Sequence, residues 1–344
     1  MTPSTSNLNH HERNWLDIPS DVMENILNRT GIIDILENAQ KVCTLWRKIC
    51  KSPVMWRVIN MNDLLQWTSN PLTAKMICKH AIDRSQGQLV DLTLVSDDNA
   101  EVFLYAVKRP HQLRRLQLVS CKFSSRLISD ALLNFPLLEE LNLYSCDVSK
   151  EEIETVGRYC PMLKTLKVYE KVTSFQMMRD PDEVSLMPLN SVAIAIGQNL
   201  VGLRHLELIG NKMTNSGLQE ILDNCHHLEK LDLRACCYID LTGDLGKKCS
   251  EQIKHLKLPH DSLEGCHYSE IVSRSFYDYD YLLLDDYDID FCYAPPQGPR
   301  MEGYILKAQE NLRTRNPIYQ PINSKWAQSA KKLAPHTTSQ AAGA

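Results

Sequence analysis

Residues 138–163 read LEELNLYSCDVSKEEIETVGRYCPML. The opening LEELNL places Leu138, Leu141 and Leu143 on the buried side of a short strand, since side chains alternate along a strand. Cys146 follows, a small and weakly polar side chain suited to burial in a turn. Lys150 to Arg158 then has helical periodicity, with Ile153 and Val156 on its inner face. Ser149 with Glu152 three residues on makes a capping-box pattern at the helix start. Cys160-Pro161 ends the helix, and Leu163 opens the same pattern again.

Working outward, the L-x-x-L-x-L pattern begins at Leu89, Leu113, Leu138, Leu163, Leu203, Leu228 and Ile253. The intervals are 24, 25, 25, 40, 25 and 25 residues. That period is the one of leucine-rich repeats, which predicts an α/β solenoid: a curved parallel sheet with helices outside. Cys121 and Cys236 fill the place of Cys146, and Asn211 fills it in the copy at Leu203. Cys225 and Cys249 fill the place of Cys160. Their recurrence marks them as buried structural residues and not as metal ligands or disulfide partners. The long interval is one repeat with an insertion near residues 170–189, broken by Asp180-Pro181 and Pro188. It reads either as a tolerated surface loop or as part of a binding face. Removing residues 171–184 is expected to leave a cooperative thermal melt within a few degrees of the parent; loss of soluble protein would show the loop to be integral.

Residues 15–57 differ in kind: WLDIPSDVMENILNRTGIIDILENAQKVCTLWRKICKSPVMWR. Three short helices are predicted, beginning near Pro19, Asp34 and Thr44 and ending at Ser52-Pro53. So few residues bury little core alone and need a neighbouring surface. The order Ile18-Pro19, Val22, Ile26-Leu27, Val42-Cys43, Trp46, Ser52-Pro53 and Trp56 resembles the F-box, with Ile-Pro where that family has Leu-Pro and Thr-Gly-Ile-Ile at 30–33 in place of a leucine-rich link. An F-box followed by cysteine-containing leucine-rich repeats is similar to the F-box/LRR proteins abundant in plants. The resemblance implies that Ile18, Pro19, Val22, Ile26, Leu27, Val42, Cys43 and Trp46 bind a Skp-family adaptor. It further implies that the adaptor joins a cullin–RING ubiquitin ligase, and that the repeats hold an unidentified protein substrate for ubiquitination. Such a subunit is not itself catalytic. The alternative is a repeat scaffold with no ligase link.

The predicted organisation is a disordered stretch over 1–14, the F-box over 15–57, a linker or capping repeat over 58–88 and repeats over 89–275. An acidic segment over 276–293 and a disordered tail over 294–344 follow. Between the modules, Val58 to Met61 reads as a first strand and Pro71 to Arg84 as a helix. The acidic segment holds six Asp and no Lys or Arg between Phe276 and Cys292, with Leu282 to Leu284 as an anchor. Lys and Arg total 38 against 42 Asp and Glu, a balance without the basic footprint of nucleic-acid binding. No apolar run has the length of a membrane span. Twelve cysteines without a visible leader point to a reducing compartment, nucleus or cytoplasm. No nucleophile elbow, phosphate loop or zinc-protease motif is present, and no cofactor is expected.

Outward strand positions form three columns. The first holds Asp91, Arg115, Glu140, Thr165, His205, Lys230 and His255. The second holds Thr93, Gln117, Asn142, Lys167, Glu207, Asp232 and Lys257. The third holds Val95, Val119, Tyr144, Tyr169, Ile209, Arg234 and Pro259. The third is mostly apolar or aromatic, on a face expected to meet solvent. Arg115, Val119, Tyr144, Tyr169, Ile209 and Arg234 are therefore the candidate substrate contacts.

Overall fold

The computed structural model of the chain describes residues 18–68, 70–109, 111–170 and 186–266. Of the insertion expected near 170–189, residues 171–185 lie outside the described residues, as do the acidic segment and the predicted disordered ends, while 186–189 already belong to the helix that follows.

The amino-terminal module starts with α1 (Ser20–Leu27). A continuous helical stretch follows as α2 (Gly31–Asp34), a π-turn (Ile35–Ala39) and α3 (Gln40–Val42). It begins three residues before Asp34, the expected cap; Asp34 instead accepts a bond from Asn38 Nδ2 at 2.9 Å inside the helix. α4 (Thr44–Ile49) and a 3-10 turn (Pro53–Trp56) complete the module. Trp56 is fully buried, donates Nε1–H to the Cys50 carbonyl at 3.0 Å, and lies 4.9 Å from the Arg84 guanidinium. The Pro-x-x-Trp step thus ties the module to the helix that ends at Arg84.

β1 (Val58–Asn60) begins the sheet. α5 (Met61–Trp67), a helix not anticipated from the sequence, and α6 (Pro71–Arg84) follow. Asn70 caps α6 by accepting from Leu72 N at 3.0 Å, with Pro71 in the first turn where no amide hydrogen is needed. The repeats then alternate: β2 (Asp91–Val95), α7 (Ala100–Val107), β3 (Arg115–Val119), α8 (Ser125–Leu132), β4 (Glu140–Tyr144), α9 (Lys150–Tyr159) and β5 (Thr165–Tyr169). α10 (Leu186–Asn199), β6 (His205–Ile209), α11 (Asn215–Asn224), β7 (Lys230–Asp232), α12 (Asp244–Gln252) and β8 (His255–Lys257) complete them. Among the described residues, the eight strands form one parallel sheet in chain order. The register stacks Leu92, Leu116, Leu141, Leu166, Leu206, Leu231 and Leu256. All but the last are buried, and Leu256 on the terminal strand is half-covered. Each full burial stabilises by about 1.5–3 kcal/mol. One apolar core runs unbroken from Met23 in α1 to Ile253 before β8.

Each strand from β2 to β4 is followed by a serine with positive φ: Ser96, Ser120 and Ser145, at 78°, 50° and 50°. Gly210 and Ala235 hold the same place after β6 and β7. The reason is a repeated bond in which this amide donates to the last strand carbonyl of the next repeat. Ser120 N reaches Tyr144 O at 2.7 Å, and Ser145 N reaches Tyr169 O at 2.8 Å. The left-handed turn then drops the next side chain, Cys121, Cys146, Asn211 or Cys236, into the interior. Sequence reading missed this turn because serine and alanine occupy the position more often than glycine.

Candidate functional site

Two surfaces carry the residues singled out in the sequence. On α1 the apolar residues split into two i, i+4 pairs. Met23 and Leu27 face the core, at 0% and 2% exposure, while Val22 and Ile26 face outward at 43% and 37%. Leu27 is therefore corrected from adaptor contact to core residue, because its side chain is spent on internal packing. Val42, at the end of α3, is 60% exposed. Pro19 is exposed, and its carbonyl accepts from Met23 N at 3.0 Å, closing the first turn of α1. Ile18 and Trp46 are half-buried against the core. Cys43 is half-buried, and its Sγ accepts from Trp46 N at 3.4 Å as the cap of α4. The module thus presents Val22, Ile26, Val42 and Pro19 outward and anchors itself through the inward set.

On the inner face of the sheet the first two columns build one polar strip. Arg115, with half of its side chain exposed, bonds Glu140 Oε2 and Asp91 Oδ2, both at 2.9 Å. Asn142 Nδ2 donates to Glu140 Oε1 at 3.0 Å. Lys167 lies 3.3 Å from Glu207, and His205 Nε2 lies 2.8 Å from the same carboxylate. The Tyr169 hydroxyl also donates to Glu207. Burial alone would raise the Glu207 pKa, but the His205 and Tyr169 hydrogen bonds and the Lys167 charge outweigh it and hold the group at about 2. The Tyr169 phenol, buried beside that carboxylate, is pushed well above its usual range and stays a donor. A depressed carboxyl pKa stabilises the fold fully above the unfolded value of about 4.3, and the stabilisation is lost as pH falls toward the folded value. Glu207→Gln is therefore expected to narrow its stability deficit against wild type between about pH 4.3 and 2; a deficit constant with pH, read by urea denaturation, would contradict the arrangement.

The third column is not open to solvent, which corrects the sequence expectation. Val119, Tyr144, Tyr169, Ile209 and Arg234 are all buried, at 0–4% exposure. Val119, Tyr144, Tyr169 and Ile209 join Val95 and Cys266 in a second apolar cluster, and Leu65 and Leu263 pack against it. The Tyr144 and Tyr169 rings meet at 4.6 Å between centroids, tilted by 54°. The cover comes from Leu65 of α5 and from the chain after β8, which returns over the sheet with Leu263 and Cys266. Arg234 holds it there. Its Nη1 donates to the carbonyls of Ser262 at 2.8 Å and Glu264 at 3.3 Å, while Asp232 neutralises the guanidinium at 2.8 Å. Of the expected substrate contacts, only Arg115 presents an exposed side chain.

The repeat cysteines serve the fold. Cys146 Sγ approaches the Leu118 carbonyl at 3.5 Å and Cys225 Sγ the Leu200 carbonyl at 3.6 Å. Burial pushes Cys160, Cys225 and Cys249 up to about 11, so all three remain thiols. Among the described residues, Cys160, Cys225 and Cys249 form no disulfide.

Comparison with known proteins agrees with this layout. Residues 15–58 match the F-box domain family. Residues 84–180 match the family described as the LRR repeats of the FBD-associated F-box protein At5g56370. F-box protein SKIP19 of Arabidopsis thaliana is 38% identical over 279 residues, covering 81% of this chain and 88% of its own length. The chain belongs to the F-box/LRR-repeat proteins. F-box/LRR-repeat protein 23 of the same plant is 40% identical over 73% of this chain, a match that spans 54% of that longer relative. F-box protein SKIP1, also from Arabidopsis thaliana, is 23% identical over 71% of this chain. As an F-box/LRR protein the chain joins a helical F-box module to a leucine-rich-repeat solenoid through one shared core.

Proposed function

We propose that this F-box/LRR protein is the substrate-recognition subunit of a Skp–cullin–F-box ubiquitin ligase. Its F-box docks a Skp-family adaptor, which links it to the cullin–RING assembly. Its repeats bind a protein substrate, and the ubiquitin-transfer chemistry belongs to other subunits. The observation that carries this reading is the outward set Val22, Ile26 and Val42, large aliphatic groups exposed on a module whose other large aliphatic and aromatic side chains are buried or half-buried. Such groups on a small, firmly anchored helical module are what a partner groove covers. The protein works in the nucleus or cytoplasm, where its thiols stay reduced. The test is reconstitution from purified components. Cullin and RING subunits should be recovered with this chain only when the Skp-family adaptor is present. Recovery independent of the adaptor, or none with it, contradicts the proposal.

A further inference from the structure

The edge of the solenoid where the strands begin carries a surface that the receptor reading leaves unassigned. Backbone bonds extend the sheet ladder here by one residue: Lys164 N donates to Glu139 O and Arg204 N to Lys164 O, both at 2.9 Å, and Glu229 N to Arg204 O at 2.8 Å. Just ahead of this ladder, successive repeats expose large apolar residues. Leu137 is 42% exposed, Met162 43% and Val201 53%, and Leu133 and Tyr159 add to the stripe from the ends of α8 and α9. Leu137 and Met162 hold equivalent positions and Val201 stands one position earlier in the next repeat, so exposed apolar side chains recur at this edge over three repeats.

The stripe has a gap. Gly202 stands where Leu137 and Met162 stand in the two preceding repeats, and a Cβ built on it meets nothing within 4 Å. The missing side chain leaves a cavity of about 200 Å³ lined by Pro161 to Lys164, Gly202, Arg204 and His227. That is below the size of a small-molecule site, and suits one side chain of a bound polypeptide. Its floor is apolar, through Met162 and Leu163. Its polar lining is cationic, with Lys164 and Arg204 and no carboxylate. Arg204 shares its charge with Glu229 at 3.0 Å, and Lys254 lies 3.6 Å from the same Glu229, so the edge keeps a positive excess.

We propose that this notch is a docking site for a partner polypeptide presenting one large apolar side chain beside a carboxylate. The apolar side chain fills the space that Gly202 leaves, and the carboxylate meets Lys164 and Arg204. The covered third column and the open edge together move partner recognition from the inner face to the rim. This rests on the repeats being the partner-binding half of the receptor, and it does not depend on the F-box.

The full chain should be titrated, by fluorescence anisotropy, with short synthetic peptides in which one Leu, Phe or Trp is flanked by Asp or Glu. Counterparts carry Lys for each acid. A further peptide copies the chain's own residues 276–292. The acidic peptides should bind saturably and the Lys counterparts should not. Gly202→Leu, which adds a side chain into open space at no strained φ, should weaken binding at least about tenfold with the thermal melt unchanged, and Lys164→Glu should do the same. Absence of saturable binding, equal binding of the Lys peptides, or affinity untouched by Gly202→Leu would overturn the proposal. Tightest binding by the 276–292 peptide, sensitive to Gly202→Leu, would also overturn it, by assigning the notch to the chain's own tail. Adaptor binding measured on the same samples separates the two readings. Its loss with peptide binding intact counts against the ligase role, and the reverse counts against the notch.

Discussion

Changing Val22 and Val42 together to Glu should abolish capture by a Skp-family adaptor while the protein remains folded. Both side chains stand in solvent, at 43% and 60% exposure, so neither change opens a cavity. Each aliphatic group covered by a partner is worth about 1.5–3 kcal/mol, and the carboxylates would additionally need desolvation. The combined loss is at least about 3 kcal/mol, more than a hundredfold in affinity. Ile18 is a poorer target, since it already packs against the core and its truncation would mix stability with binding. Calorimetric titration with the adaptor, beside a thermal melt, reads both quantities. Undiminished binding by the folded double variant would show that the adaptor uses another face.

Tyr169→Ala should destabilise the repeat domain by about 3–5 kcal/mol, the cost of removing a large buried ring. Tyr169 is 1% exposed, packs its ring at a tilt against Tyr144, and donates its hydroxyl to Glu207. Tyr169→Phe keeps the ring and should lose only about 1.5–3 kcal/mol, the worth of a hydrogen bond to a charged group. Urea denaturation of the two variants separates packing from hydrogen bonding. Near wild-type stability for Tyr169→Ala would mean that the column is open surface after all.

That column shows where the sequence stopped informing. The repeat period fixed strand register to the residue, from Leu92 to Leu256, because a solenoid repeats the same local contacts. Alternation correctly put Tyr144 and Tyr169 on the inner face. It says nothing of what lies above that face. The return of residues 262–266 is a tertiary event without period, and its anchor, Arg234, looks in sequence like any exposed arginine. Leu27 failed for a related reason: Val22–Ile26 and Met23–Leu27 are both i, i+4 pairs, and spacing alone does not say which pair turns inward. The edge notch was invisible because its defining residue, Gly202, is a missing side chain in an aligned row.

The receptor role is tested most directly by mixing the purified full chain with a purified Skp-family adaptor and measuring their association by isothermal calorimetry. A saturable one-to-one complex is predicted, with micromolar affinity or better, lost in the Val22→Glu, Val42→Glu variant. No detectable heat of binding, by a chain whose melt shows it folded, would contradict the account.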